Sequence, residues 1–178
     1  MKFLLLIISL SIVFLYLFRE PELKKASFGT NTIISPAYGK IYKIQKINSH
    51  ICISIILTIF DVHYQYVPCD GVIKNTTYDR NGIFNIVYSD YDKTKLNEKM
   101  IYEIKTGNGI VYVYQIAGFF FRRIIPYVKE KQKVVQGDKL GLITFGSRVD
   151  ICVPIRSFHL VVKEGQCVKG GNALGYYI

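Results

Sequence analysis

From Thr32 onward the apolar residues of this chain come in short β-branched runs, each halted by Gly, Pro or Asn. Such runs bury well on a pleated sheet and are too short and too branched for long amphipathic helices. Residues 51–60 (ICISIILTIF) read as a buried strand, and 83–88 (IFNIVY), 100–104 (MIYEI) and 109–116 (GIVYVYQI) as further strands. Residues 40–47 (KIYKIQKI) have apolar positions at 41, 44 and 47, an ambiguous spacing. Their β-branched content and the preceding Pro36 and Gly39 favour a strand. The TGNG at 106–109 is a hairpin turn, since Gly and Asn accept φ > 0. The one plausible helix is short, over residues 117–124. The fold class is therefore mainly β with little helix.

Two weak internal echoes accompany the strands. SPAYGKI (35–41) and VPCDGVI (67–73) share the form Pro, two residues, Gly, x, Ile; KVVQGDKLG (133–141) resembles GQCVKGGNALG (165–175). The paired glycine turns resemble those of barrel-sandwich domains of the biotinyl/lipoyl type. A barrel-sandwich-like β domain is thus expected. A lipoyl carrier is excluded, because no Asp-Lys-Ala or Met-Lys-Met tip is present, and Lys139 reads as a solvated turn charge.

The 178 residues suit one domain, and an apolar half excludes disorder. Residues 3–18 (FLLLIISLSIVFLYLF) form the only stretch near spanning length, roughly 24 Å as a helix, so a multi-pass membrane protein is excluded. A cleaved signal peptide lacks its small-x-small site, and a buried core helix would not be apolar all round. A hydrophobic helix anchoring the chain to a membrane is the better reading, giving an anchor over 1–20 and a β domain over 21–178. Arg19, Lys24 and Lys25 outnumber Lys2, which places the domain on the cytoplasmic face. There the four cysteines are expected reduced, and without a CxxC pair they make no zinc site; no metal is expected. The net charge of +10 leaves nucleic acid or an anionic membrane as partner.

Four segments carry chemistry together: ISPAYGK (34–40), FDVHYQYVPCDG (60–71), QIAGFFFRRI (115–124) and FGSRVD (145–150), with NEK (97–99) between the second and third. In this order and spacing they resemble the phosphatidylserine decarboxylases, above all the short form. That family reads roughly SPADGKV, FxVHVNRxPVDG, NER, QIAGxxARRI and GDKxGxIRFGSRVD. LFREP (17–21) is similar to the family's FFRDP. The likeness runs from about Ile33 to the C-terminus.

The resemblance implies self-cleavage between Gly146 and Ser147. The Ser147 hydroxyl would attack the Gly146 carbonyl, and β-elimination from the ester would free a chain of 146 residues. The 32-residue remainder would begin with a pyruvoyl group, the implied cofactor. Glycine upstream admits the strained backbone and the close nucleophile. The keto group would form a Schiff base with a substrate amine and act as electron sink, turning phosphatidylserine into phosphatidylethanolamine and CO₂. His63, at the family histidine, is the acid/base candidate, since imidazole titrates near neutrality. Arg148, Arg122 and Arg123 are candidates for substrate phosphate or carboxylate, or equally for structural ion pairs. A homodimer is possible. Nucleic acid, suggested by charge alone, has no matching motif.

The departures are specific. Tyr38 stands where the family has Asp, and a phenol of pKa ~10 is no carboxylate at neutral pH. Tyr66 replaces a His or Arg, Lys99 an Arg, and Phe121 an Ala. Asp61 and Asp70 flank His63 as possible substitutes. Two functions stay open: a self-processing decarboxylase, or a non-processing homologue that binds anionic lipid or a partner protein.

Overall fold

The computed structural model describes residues 31–80, 96–118, 123–143 and 147–178, with short pieces at 7–9, 11, 15–16, 19–23, 29, 82 and 91–94. The strands are β1 (Thr32–Ile34), β2 (Gly39–Ile47), β3 (His50–Ile56), β4 (Tyr64–Tyr66), β5 (Gly71–Asp79), β6 (Lys99–Thr106) and β7 (Gly109–Ile116). They continue as β8 (Ile124–Pro126), β9 (Lys133–Val134), β10 (Lys139–Ile143), β11 (Arg148–Pro154), β12 (Phe158–Leu160), β13 (Cys167–Val168) and β14 (Ala173–Tyr177). One helical turn, α1 (Tyr91–Thr94), lies before β6. The fold is mainly β, as expected. Eight strands form a curled half-barrel sheet in the order β13-β2-β3-β11-β7-β6-β5-β9. Two three-stranded sheets, β1-β14-β12 and β4-β10-β8, accompany it.

Alternation along the central strands builds the core. Ile51, Ile53 and Ile55 of β3, Val149, Ile151 and Val153 of β11 and Val111 and Val113 of β7 fill one cluster. Each contributes about 1.5–3 kcal/mol of burial. The odd spacing in β2 has a cause: a bulge between Ile41 and Lys43 inserts a residue, so that Ile41 and Ile44 both meet the core. The 106–109 hairpin forms as read, with Thr106 paired to Gly109 and Gly109 at φ 120°.

The two echoes are one structural repeat. Ser35 N–H donates to Asn172 O at 2.7 Å, and Val67 N–H to Asp138 O at 2.8 Å. Gly171 N–H returns to Ser35 O at 3.0 Å, and Gly137 N–H to Val67 O at 2.9 Å. Both glycines are left-handed, at φ 89° and 86°. The Asn172 and Asp138 side chains each accept the amide three residues back, from Lys169 and Val135. A second bulge, between Ile73 and Asn75, matches that after Ile41.

The remaining element expectations fare differently. Ala117, Gly118 and Arg123 are not helical and Ile124 opens β8, so no helix over 117–124 is found among the described residues. The strand expected over 83–88 lies outside the described residues. Of the apolar run 3–18, the described residues 7–9, 11 and 15–16 are helical, but a continuous hydrophobic helix is not shown. No helix among the described residues is long and apolar enough to cross a membrane.

The cysteines are not all reduced. Cys52 and Cys152 face each other in the β3–β11 register and form a disulfide, closing a sequence separation of 100. Reduction is expected to lower unfolding stability by about 2–4 kcal/mol, read in urea with and without reductant. Of the free pair, Cys167 is exposed, whereas burial, assisted by Asp70, pushes the Cys69 thiol up to about 12. Iodoacetamide should therefore label the native protein at Cys167 alone.

Candidate active site

The approach to His63 is a loop fastened at both ends. Leu57, which follows β3, donates its N–H to Ser147 O at 2.8 Å, immediately before β11. Four residues later the loop turns back, with Thr58 N–H and Oγ1 both donating to Asp61 Oδ2 at 2.7 and 2.8 Å. His63 stands immediately before β4, and its carbonyl accepts the N–H of Ile143 at 3.2 Å, the last residue of β10. β10 and β11 are the strands on either side of residues 144–146. The fold thus brings His63 to one end of that segment and ties Ser147 at the other. Gly146 itself lies outside the described residues, as does Arg122.

Both candidate chemical groups are buried: His63 is 2 % exposed and Ser147 0 %. Ser147 Oγ has no hydrogen-bond partner among the described residues. A buried, unbonded hydroxyl is costly, and such exceptions call for an explanation.

A chain of buried amides that sequence reasoning missed supports His63. Tyr102 donates its hydroxyl to Gln115 Oε1 at 2.6 Å, Gln115 Nε2 donates to Gln65 Oε1 at 2.6 Å, and Gln65 Nε2 donates to His63 O at 2.7 Å. Both glutamines are fully buried. The signal was present: a Gln closing the apolar run GIVYVYQI and another between two tyrosines. Gln115→Leu would leave the Tyr102 hydroxyl and Gln65 Oε1 without their partner, and a loss of about 2 kcal/mol is expected in urea unfolding.

Arg148 is fully buried and turns away from Ser147 along β11. Its Nε and Nη2 meet Asp150 Oδ1 and Oδ2 at 2.9 and 2.7 Å, and its Nη1 reaches the Thr94 hydroxyl of α1. The guanidinium therefore holds α1 to the sheet, beside a cavity of about 680 Å³ that Tyr112, Tyr114 and the disulfide also line. Arg123 is exposed, just before β8. The NEK segment is tied to QIAG: Asn97 Nδ2 donates to Ala117 O, and Ala117 N–H to Glu98 O, both at 2.9 Å. His50 Nε2 lies 3.1 Å from Ile110 O, away from the 57–63 loop, and His159 is exposed on β12.

Two of the departures from the family pattern, Tyr38 and Tyr66, sit together. Tyr38 and Tyr66 pack with ring centroids 6.4 Å apart. Both lie over Gly170, where a Cβ would stand 2.7 Å from Tyr38 and 3.0 Å from Tyr66. Burial raises the Tyr38 phenol, against the pull of Arg19, so it stays neutral. Both flanking carboxylates have partners of their own. Asp61 caps its own turn, and Asp70 Oδ1 accepts Gln136 N–H at 2.7 Å. In the repeat, Asp70 is the mate of Tyr38, and Gln136 that of Gly170.

Segment 19–23 closes this end of the molecule. Glu20 pairs at 2.6 Å with Lys139, which is exposed on the surface as a turn charge would be. Arg19 Nη2 donates to Phe60 O at 2.9 Å. Between this segment, β2 and β13 lies a cavity of about 1000 Å³, bounded by Tyr38, Thr58, Asp61 and Val62 next to His63.

A sequence model described as phosphatidylserine decarboxylase matches residues 10–176. The phosphatidylserine decarboxylase proenzyme of Ehrlichia chaffeensis is 35 % identical over 176 residues, covering 95 % of this chain and 77 % of that protein. That of Ehrlichia canis is 34 % identical over 178 residues, covering 96 % and 78 %. The Chlorobium limicola proenzyme is 32 % identical over 166 residues, covering 90 % and 76 %.

Proposed function

The chain belongs to the phosphatidylserine decarboxylase family, and on that premise we propose that it is a self-processing, membrane-associated enzyme that decarboxylates phosphatidylserine to phosphatidylethanolamine. The observation that carries this reading is the buried Ser147 hydroxyl, unbonded among the described residues, at the head of β11 and tied to the loop that delivers His63.

In processing, Ser147 Oγ attacks the Gly146 carbonyl and the peptide becomes an ester, leaving the Ser147 amine free. Loss of the Ser147 α-proton expels the Gly146 carboxylate. Water then replaces the amine as ammonia, leaving a keto group at residue 147. The surroundings fit that group: a buried position, a Ser147 carbonyl already held by the Leu57 amide, and no competing donor to Oγ among the described residues. A keto group at this point supplies an electrophile for the substrate amine and an electron sink when CO₂ departs. His63 holds the proton that the product carbon must receive. Its position is fixed through its carbonyl by Gln65 and Ile143, and burial excludes bulk water. Residues 3–18 anchor the chain, and the net charge of +10 favours an anionic lipid surface.

The test is a denaturing gel run with reductant, with intact mass and hydrazide trapping of a carbonyl. Pieces of 146 and 32 residues, the smaller reactive toward hydrazide, support the reading. A persistently whole 20.4 kDa chain without lipid decarboxylation overturns it.

Tyr38 favours a second reading, a non-processing homologue that binds anionic lipid or a partner protein. The repeat supplies its test. An Asp at 38 would meet the Gly170 amide as Asp70 meets Gln136, so Tyr38→Asp has a partner in place. Cleavage that appears only in Tyr38→Asp favours the second reading.

A further inference from the structure

The turn between β3 and β4 is stiff, yet it points its two largest apolar side chains outward. The Asp61 carboxylate caps it, Asp61 N–H returns to Thr58 O at 3.2 Å, and Phe60 N–H reaches Thr58 Oγ1 at 3.3 Å. On this rim Ile59 is 44 % exposed and Phe60 62 %. Leaving a Phe in water forgoes about 1.5–3 kcal/mol of burial. Consecutive large apolar side chains on a well-bonded turn mark a contact surface rather than loose packing.

The position of the turn indicates what that contact is. The Arg19–Phe60 hydrogen bond sets it against the end of the apolar run 3–18, where Leu15 and Tyr16 are also exposed. Arg19 lies over the Tyr16 ring at 4.1 Å. The adjoining cavity is lined by three cations, Arg19, Lys40 and Lys169, against one acid, Asp61, which is spent on the turn. Apolar tips above a cationic rim match a bilayer whose surface carries negative headgroups.

We propose that the 58–61 turn is a second membrane contact: Ile59 and Phe60 enter the boundary between headgroups and acyl chains of an anionic bilayer. His63, two residues beyond Asp61, is thereby held at headgroup depth. This rests on the reading of the chain as a lipid decarboxylase and says how that site meets its substrate.

The chain has no Trp, so Phe60→Trp in the full chain gives a single indole at the tip. In vesicles of phosphatidylcholine and phosphatidylserine its emission should shift to the blue and be quenched by brominated acyl chains. Phe60→Asp should lower turnover of vesicle phosphatidylserine roughly tenfold or more, the affinity conferred by burying one Phe, and spare turnover of a water-soluble short-chain phosphatidylserine. An indole unquenched by brominated lipid, with vesicle turnover intact, overturns the membrane contact and leaves the decarboxylase reading standing. Quenching without turnover of either substrate supports the contact while the decarboxylase reading fails. A blue shift without vesicles that grows with protein concentration overturns the proposal in favour of a second copy.

Discussion

Replacing Ser147 with alanine should leave a single 20.4 kDa chain that neither splits under reduction nor releases CO₂ from phosphatidylserine, yet unfolds no more easily than the parent. The two halves of this result have one origin. Without an oxygen at position 147 there is no ester and no leaving carboxylate, so the loss of processing is complete. The same oxygen is buried without a partner among the described residues. Desolvating an unbonded hydroxyl costs about 1–3 kcal/mol, so its removal is neutral or mildly stabilising in the uncut protein. A serine kept for packing would give the opposite pattern, with processing unaffected and stability reduced. Reducing gels, CO₂ release and urea unfolding of the same preparation read both halves.

Asp150→Ala should give the largest loss of stability, about 3–5 kcal/mol, by stranding the Arg148 guanidinium in the interior. The Arg148 side chain is 1 % exposed and that of Asp150 13 %, and the pair is bidentate. At this chain length such a loss lowers the melting temperature by roughly 10 °C. A double change to apolar residues of similar volume, Arg148→Met with Asp150→Leu, should recover much of it, because no charge is then left unpaired. Failure of the double variant to recover would mean that the guanidinium's hold on Thr94 and α1 outweighs the ion pair. Thermal unfolding of the three proteins decides this.

Local signals were legible, and pairings over long separations were not. The strand runs over 40–47, 100–104 and 109–116, the 106–109 hairpin and the echoes depend on neighbouring residues and appear in the fold, whereas the strand expected over 51–60 stops at Ile56, where the chain turns at Thr58–Asp61. β5 went unread because GVIKNTTYD has a polar, partly exposed face and a bulge that breaks its alternation. The disulfide was invisible because Cys52 and Cys152 meet only through the β3–β11 register, 100 residues apart. The roles of the site divide the same way. Ser147 and His63 could be singled out by motif, but the amide chain through Gln65 and Gln115 needs three strands to assemble. Arg148 shows the limit of motif reading: beside the serine in sequence, it points to the other face and is bound to Asp150.

The Cys52–Cys152 bond acquires a further meaning if the chain is cut before Ser147. Cys52 then belongs to the long piece and Cys152 to the short one. The short piece supplies β11 to the middle of the large sheet and β14 to the middle of another. Unfolding would otherwise release a free 32-residue peptide, and recovery would become a second-order encounter that weakens on dilution. With the sulfurs joined, the nicked protein remains one molecule, its refolding stays first order at any concentration, and only a reductant lets unfolding separate the two pieces.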